Sequence, residues 1–125
     1  MVTRPTTLSL TTLFAARLRS TVNLALDCSN RVYESALCME LHAARIATKR
    51  QIGIPLYYKG VLISEHRPDL IVGGRVIVEV KSIERFDRIH IAQLLTYLRI
   101  TGLKLGLLLN FNSAFMRQGI RRVML

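Results

Sequence analysis

One stretch constrains this chain more than any other: Asp69-Leu70-Ile71-Val72, then Gly73-Gly74, then Val76-Ile77-Val78-Glu79-Val80-Lys81. Two runs rich in β-branched residues flank a pair of glycines, which is a hairpin signal. The second run is almost wholly apolar and belongs inside a sheet, yet it carries Glu79 and Lys81. Alternate residues of a strand point to the same side, so these two charges share a face. Charges in a buried strand are costly unless they are paired or bound to a metal.

Register decides what Glu79 meets. A two-residue Gly73-Gly74 loop pairs Val72 with Arg75 and sets Asp69 opposite Val78, which separates the carboxylates onto opposite faces. A three-residue loop of Gly73, Gly74 and Arg75 pairs Val72 with Val76 and brings Asp69 directly across from Glu79. Two adjacent carboxylates repel unless a cation lies between them, and oxygen-only ligands suit Mg²⁺ or Mn²⁺. Taken alone, Glu79 and Lys81 are more simply explained by an ordinary ion pair of Lys81 with Asp69 or Glu79 in a half-exposed sheet.

Further polar residues sit where apolar ones are expected. From about Asn30 to Thr48 the pattern is helical, with Tyr33, Leu37, Glu40, Ala44 and Ala47 recurring along one seam and Ala36 and Leu41 widening it. Glu40 on that seam needs a partner, whether a nearby Arg or a site. Lys49, Arg50 and Gly53 end the helix. A second helix runs from a cap at Asp87 to about Thr101, with Ile91, Leu94, Leu95 and Leu98 as its core stripe and Gly102 as its stop. Gln93 and Tyr97 form an i, i+4 pair on this helix, beside His90.

Between and after the helices the chain reads as strands at Ile54 to Tyr58, Val61 to about Ser64, Leu105 to Phe111 and Ile120 to Leu125. The order of elements implies an α/β or α+β domain. At 125 residues the chain is long enough to bury a core of its own. Its uncharged runs, Pro5 to Ala16 and Leu105 to Met116, are too short to span a bilayer, and no membrane partner is expected. Eighteen Lys and Arg against eight acids give a net charge of +10, which favours a polyanionic partner, nucleic acid first. Cys28 and Cys38 form no CxxC pair and read as free thiols of a reducing, cytoplasmic compartment. His42, His66 and His90 have no zinc-type spacing. Residues 1 to 26 hold Arg4, Arg17 and Arg19, no acid, and interleaved Leu8, Leu10, Leu13, Phe14 and Leu18. That composition fits an organellar transit peptide and equally a helix packed on the domain.

Pro68-Asp69, followed ten residues later by Glu79-Val80-Lys81, resembles the PD-(D/E)XK nuclease superfamily. The resemblance is closer to its GxxExxY branch, through Val32-Tyr33-Glu34-Ser35-Ala36-Leu37, Glu40-Leu41, Tyr58-Lys59-Gly60, Arg67-Pro68-Asp69-Leu70, Gln93-Leu94-Leu95-Thr96-Tyr97-Leu98, Thr101-Gly102 and Leu105 to Phe111. It covers residues 30–125 and leaves 1–29 as a non-matching N-terminal extension, with Asp27 and Asn30 where the branch carries Gly and Glu. It implies a restriction-endonuclease-like core, a central mixed sheet flanked by helices in the order αβββαβ, and a Mg²⁺-dependent nuclease acting on DNA more readily than RNA. In that family Asp69 and Glu79 would hold the metal with the Val80 carbonyl. Lys81 would orient or deprotonate the attacking water, Glu40 would bind a second metal or the water network, and Gln93 with Tyr97 would orient Lys81 or a phosphate. A nucleic-acid-binding module with the same fold and no turnover is the alternative.

Overall fold

The computed structural model describes residues 6–21, 30–112 and 116–125. Cys28, Asp27 and Arg4 lie outside the described residues, so the expectations resting on them find no structural counterpart. The described chain forms α1 (Thr7–Thr21), α2 (Asn30–Ala43), β1 (Thr48–Arg50), β2 (Ile54–Tyr58), β3 (Val61–His66), β4 (Leu70–Val72), β5 (Val76–Lys81), α3 (Arg88–Thr101), β6 (Leu105–Asn110) and β7 (Ile120–Met124), with a 3-10 turn at Met116–Gly119.

Five strands form one sheet in the order β1-β4-β5-β6-β7, and β2 with β3 forms a separate two-stranded sheet. Neighbours in the large sheet are antiparallel, except β5 and β6, which α3 joins as a parallel crossover. The β4–β5 hairpin adopts the three-residue register, with Val72 opposite Val76 and Leu70 opposite Val78. Gly73 and Gly74 both take positive φ, 59° and 65°, and the Arg75 amide donates to the Val72 carbonyl at 3.1 Å. A side chain at either glycine would be strained in that conformation, so the pair suits the turn, and Arg75 completes the three-residue loop.

The alternation of β5 sorts its residues between two cores. Val76, Val78 and Val80 meet α1 and α2 through Phe14, Leu18, Tyr33, Leu37 and Leu41, together with Leu107 and Leu109 of β6. Ile77 faces the other way, against Leu94, Tyr97 and Leu98 of α3 and Leu108 and Val123. Each fully buried Leu contributes roughly 1.5–3 kcal/mol, so both helical layers are held firmly. Gly106 lets α3 come close, since a Cβ there would lie 2.8 Å from the Leu94 side chain. Asp87 caps α3 in a capping box with His90, and Gly102 closes it.

The sequence reading is corrected at one element and narrowed to one of its alternatives at another. The first is the end of α2, which stops at Ala43, so that Thr48–Arg50 is a strand rather than the helix end. Arg45 takes a positive φ of 61°, and the Ile46 amide donates to the Leu41 carbonyl at 2.9 Å. This is a Schellman-type stop built on an arginine, without the glycine that marks such stops in sequence. The second is the N-terminal segment, where α1 packs on α2 and places Phe14, Ala15 and Leu18 in the core. No helix among the described residues is long and apolar enough to cross a membrane.

Candidate active site

The site lies where the β4–β5 ladder runs out. One step beyond Leu70 and Val78, Asp69 stands opposite Glu79, and ordinary strand pairing is replaced by a reciprocal clasp. The Asp69 amide donates to Glu79 Oε1 at 3.0 Å, and the Val80 amide donates to Asp69 Oδ2 at 2.7 Å. Lys81 shares the face of Glu79, with its Nζ 3.8 Å from Glu79 Oε2. The three charged residues singled out on the hairpin thus stand together.

Glu79 is only 3% exposed. Burial, with the charge of Asp69 second and that of Glu34 a smaller addition, pushes its carboxyl up to about 8, while the Asp69 amide and the Lys81 ammonium pull it down. Tyr97 comes from α3 on the same side. Its phenol is raised by burial first and by the Glu79 charge next, with Asp69 adding to both. Gln93 Nε2 donates to the Tyr97 hydroxyl at 2.9 Å, and the His66 ring stands edge-on to Tyr97 at 5.8 Å. Tyr97 therefore lies near the carboxylates, and Gln93 is joined to it as the i, i+4 pair that their helical spacing predicted.

Glu40 does not. It is exposed on α2, whose buried face consists of Tyr33, Glu34, Leu37, Cys38 and Leu41. At 3.6 residues per turn Glu40 stands roughly 90° round the helix from the centre of that face. Ala44 and Ala47, which completed the expected seam, are exposed as well. The acid that reaches the site region from α2 is Glu34, 3% exposed and paired with Arg50 Nε at 3.1 Å. Its signal was present in the sequence: Glu34 stands three, four and seven residues before Leu37, Cys38 and Leu41.

Gln51 joins Glu34 to the hairpin and was also missed. Its side-chain amide donates to Asp69 Oδ1 at 3.1 Å and to Glu34 Oε2 at 3.4 Å, while its backbone amide donates to the Asp69 carbonyl at 3.1 Å. It holds this bridge with a φ of 51°, an uncommon conformation for a residue with a side chain. Asn110, buried at the end of β6 in register with Lys81, donates to the Ile83 carbonyl at 2.8 Å and accepts from the Ile83 amide at 3.0 Å. It thereby fixes the segment that leaves Lys81. A cleft of about 650 Å³ opens beside Asp69 and Glu34, lined also by Gln51 and the arginines Arg31, Arg50 and Arg67. Such a cleft offers guanidinium groups to an anion lying against the acids.

The donors fit a hard divalent cation in kind, since they are oxygens and the carboxylates of Asp69 and Glu79 face each other across the hairpin. Among the described residues, no group of three or more His, Cys, Asp or Glu side chains stands close enough to enclose a metal. The two carboxylates would need backbone, water or substrate oxygens to complete a shell, which is how Mg²⁺ is commonly held. Cys38 is buried and free, its thiol pushed up by burial, and plays no part in such a donor set.

A mixed α+β layer structure, with an acid pair and a lysine where an antiparallel hairpin meets a parallel crossover, defines a restriction-endonuclease-like protein. A sequence profile described as the PD-(D/E)XK nuclease superfamily matches residues 12–123, and the chain belongs to that superfamily. No curated protein and no solved structure matches the chain.

Proposed function

We propose that this chain is a Mg²⁺- or Mn²⁺-dependent nuclease that hydrolyses phosphodiester bonds, of DNA in preference to RNA. The observation that supports it best is the facing pair Asp69 and Glu79 with Lys81 on the same side. Asp69, Glu79 and the Val80 carbonyl are the ligands in this reading. A divalent ion bound there would supply Lewis acidity, making a water nucleophilic and clamping the phosphate oxygens. Lys81 orients the attacking water and balances charge developing on the phosphate. Gln93 donates to the Tyr97 oxygen, which leaves the phenol proton available for a phosphate oxygen. Arg31, Arg50 and Arg67 bind the flanking backbone, and Glu34, rather than Glu40, is the α2 acid beside the site, where it holds Arg50 and Gln51 in place. Within the superfamily we place the chain beside the GxxExxY branch, on its Tyr33-Glu34, Gln93 and Tyr97 strings, with residues 30–125 as the part that carries the site.

The test is cleavage of single- and double-stranded DNA and RNA with Mg²⁺ or Mn²⁺ against chelator, with Lys81→Ala as control. Metal-dependent cleavage lost in Lys81→Ala supports the proposal. One observation favours a second reading, a binding module without turnover: each carboxylate is already engaged by a backbone amide. Nucleic-acid binding by a folded protein that cleaves none of the four substrates would establish that reading instead.

A further inference from the structure

The two-stranded sheet is the part of the molecule least explained by the fold. Its base is locked to the site on both sides. Ile54 is buried, His66 stands against Tyr97, and Arg67 pairs with Glu65 at 3.1 Å while donating to the Gln51 carbonyl at 3.5 Å. The strand β3 leads directly through Arg67 and Pro68 into Asp69, and β2 follows closely on Gln51.

Its far end is bare. Tyr57 and Tyr58 are 60% and 61% exposed, and Val61, Leu62 and Ile63 are exposed beside them. The Lys59 ammonium lies 5.5 Å from the centre of the Tyr58 ring. Burial of these side chains adds little to the stability of the domain, so their exposure calls for an occupant.

Register restricts what that occupant can be. Tyr57 pairs with Leu62 and Tyr58 with Val61, after an irregularity between Leu56 and Tyr57. Directly opposed residues share a face, and consecutive residues take opposite faces. Each face of the tip therefore carries one tyrosine ring and its opposed aliphatic side chain, with Ile63 left unpaired at the irregularity. A stable protein interface needs roughly 800 Å² from each partner, and two such narrow platforms on opposite faces do not make one. A nucleobase needs only one ring to stack on. The charge agrees: Lys59 stands at the tip of a chain of net charge +10, and Glu65, at the base, is paired with Arg67.

We propose that the β2–β3 hairpin is an arm that holds unpaired nucleotides of the substrate, with Tyr57 and Tyr58 each stacking a base and Lys59 meeting the backbone. In a duplex the faces of the bases are covered by the stacked neighbouring pairs, so the arm selects single-stranded or splayed segments. The rise of a strand sets the tip about 13 Å beyond the Ile54–His66 base, within a few nucleotides of the acids. The inference rests on the nuclease reading for the identity of its substrate.

The experiment is equilibrium binding of the full chain in chelator, where no cleavage complicates the reading, to a labelled single strand, a forked duplex and a blunt duplex. Tyr57→Ala and Tyr58→Ala should each weaken single-strand and fork binding by roughly 5- to 100-fold. Blunt-duplex binding should be unchanged, and Tyr58→Trp should retain affinity. Both residues are exposed, so the variants are expected to keep the wild-type Tm, which is measured alongside. Wild-type single-strand affinity in the folded double variant would overturn the arm, and so would a loss of self-association in sedimentation with binding unchanged. Tyrosine-dependent binding without cleavage under Mg²⁺ or Mn²⁺ would keep the arm and remove the nuclease. Cleavage indifferent to both tyrosines would do the reverse.

Discussion

Asp69 and Glu79 hold one another's strands: the carboxylate of Glu79 accepts from the Asp69 amide, and the carboxylate of Asp69 accepts from the amide of Val80, the residue after Glu79. The clasp substitutes side-chain acceptors for carbonyls where the ladder ends, and it keeps two acids side by side at the cost of their mutual repulsion.

That repulsion predicts how the protein responds to metal. Mg²⁺ or Mn²⁺ should raise Tm, by the equivalent of about 2.7 kcal/mol at ~100 times the Kd. Asp69→Asn should abolish most of the rise together with cleavage. Lys81→Ala should keep the rise while turnover falls roughly 100-fold or more. Thermal melts with and without the ion, paired with cleavage rates, separate the two roles. A wild-type protein with no metal-induced rise would leave the acids a purely structural role.

Glu79 also predicts a pH dependence without metal. Its folded value of about 8 lies above the ordinary 4.5. The sign follows from linkage: between those values the folded state holds the extra proton, so stability is fully present below the lower value and is lost as pH rises through the upper one. Melting in chelator from pH 5 to pH 9 should show Tm falling. Glu79→Gln should flatten the fall and stabilise the metal-free protein at pH 8, on the order of 2 kcal/mol or roughly 8 °C. A wild-type profile parallel to that of Glu79→Gln would contradict the assignment.

The two acids of α2 should behave oppositely. Glu40→Gln is exposed and should change neither stability, within about 0.5 kcal/mol, nor cleavage. Glu34→Ala strands Arg50 and Gln51 beside Asp69, and should cost roughly 1–3 kcal/mol and lower turnover. Denaturant unfolding and cleavage rates of both variants decide which acid belongs to the site. A larger loss of turnover in Glu40→Gln would restore the residue first expected.

The N-terminal helix should matter for stability and not for ion binding. Phe14→Ala should cost roughly 3–5 kcal/mol, because its ring lies in the core that α1 and α2 share with the sheet. Removing residues 1–26 should lower Tm markedly, yet whatever remains folded should still be stabilised by Mg²⁺. Loss of that stabilisation in a folded truncation would place part of the site in the N-terminal segment.

Much of this was readable from residues alone, for physical reasons particular to each place. The alternation of Val76 to Lys81 fixed which residues share a face, because strand side chains alternate whatever surrounds them. Gly73-Gly74 fixed the hairpin, because two consecutive positive φ values exclude most other residues. Asp87 and Gly102 bounded α3 by local capping chemistry. Tertiary structure decided the rest. The face of α2 that turns inward is chosen by what packs against it, so the sequence offered both Glu34 and Glu40 and only the contacts with Arg50 and Gln51 distinguished them. Gln51 bridges two acids only because its backbone is held at a φ its own type does not favour. Asn110 meets the segment after Lys81 only through the parallel crossover. Local pattern is set by bond geometry within a few residues, whereas the partner of a buried charge is set by chain segments far away in sequence, and only the packed fold brings those together.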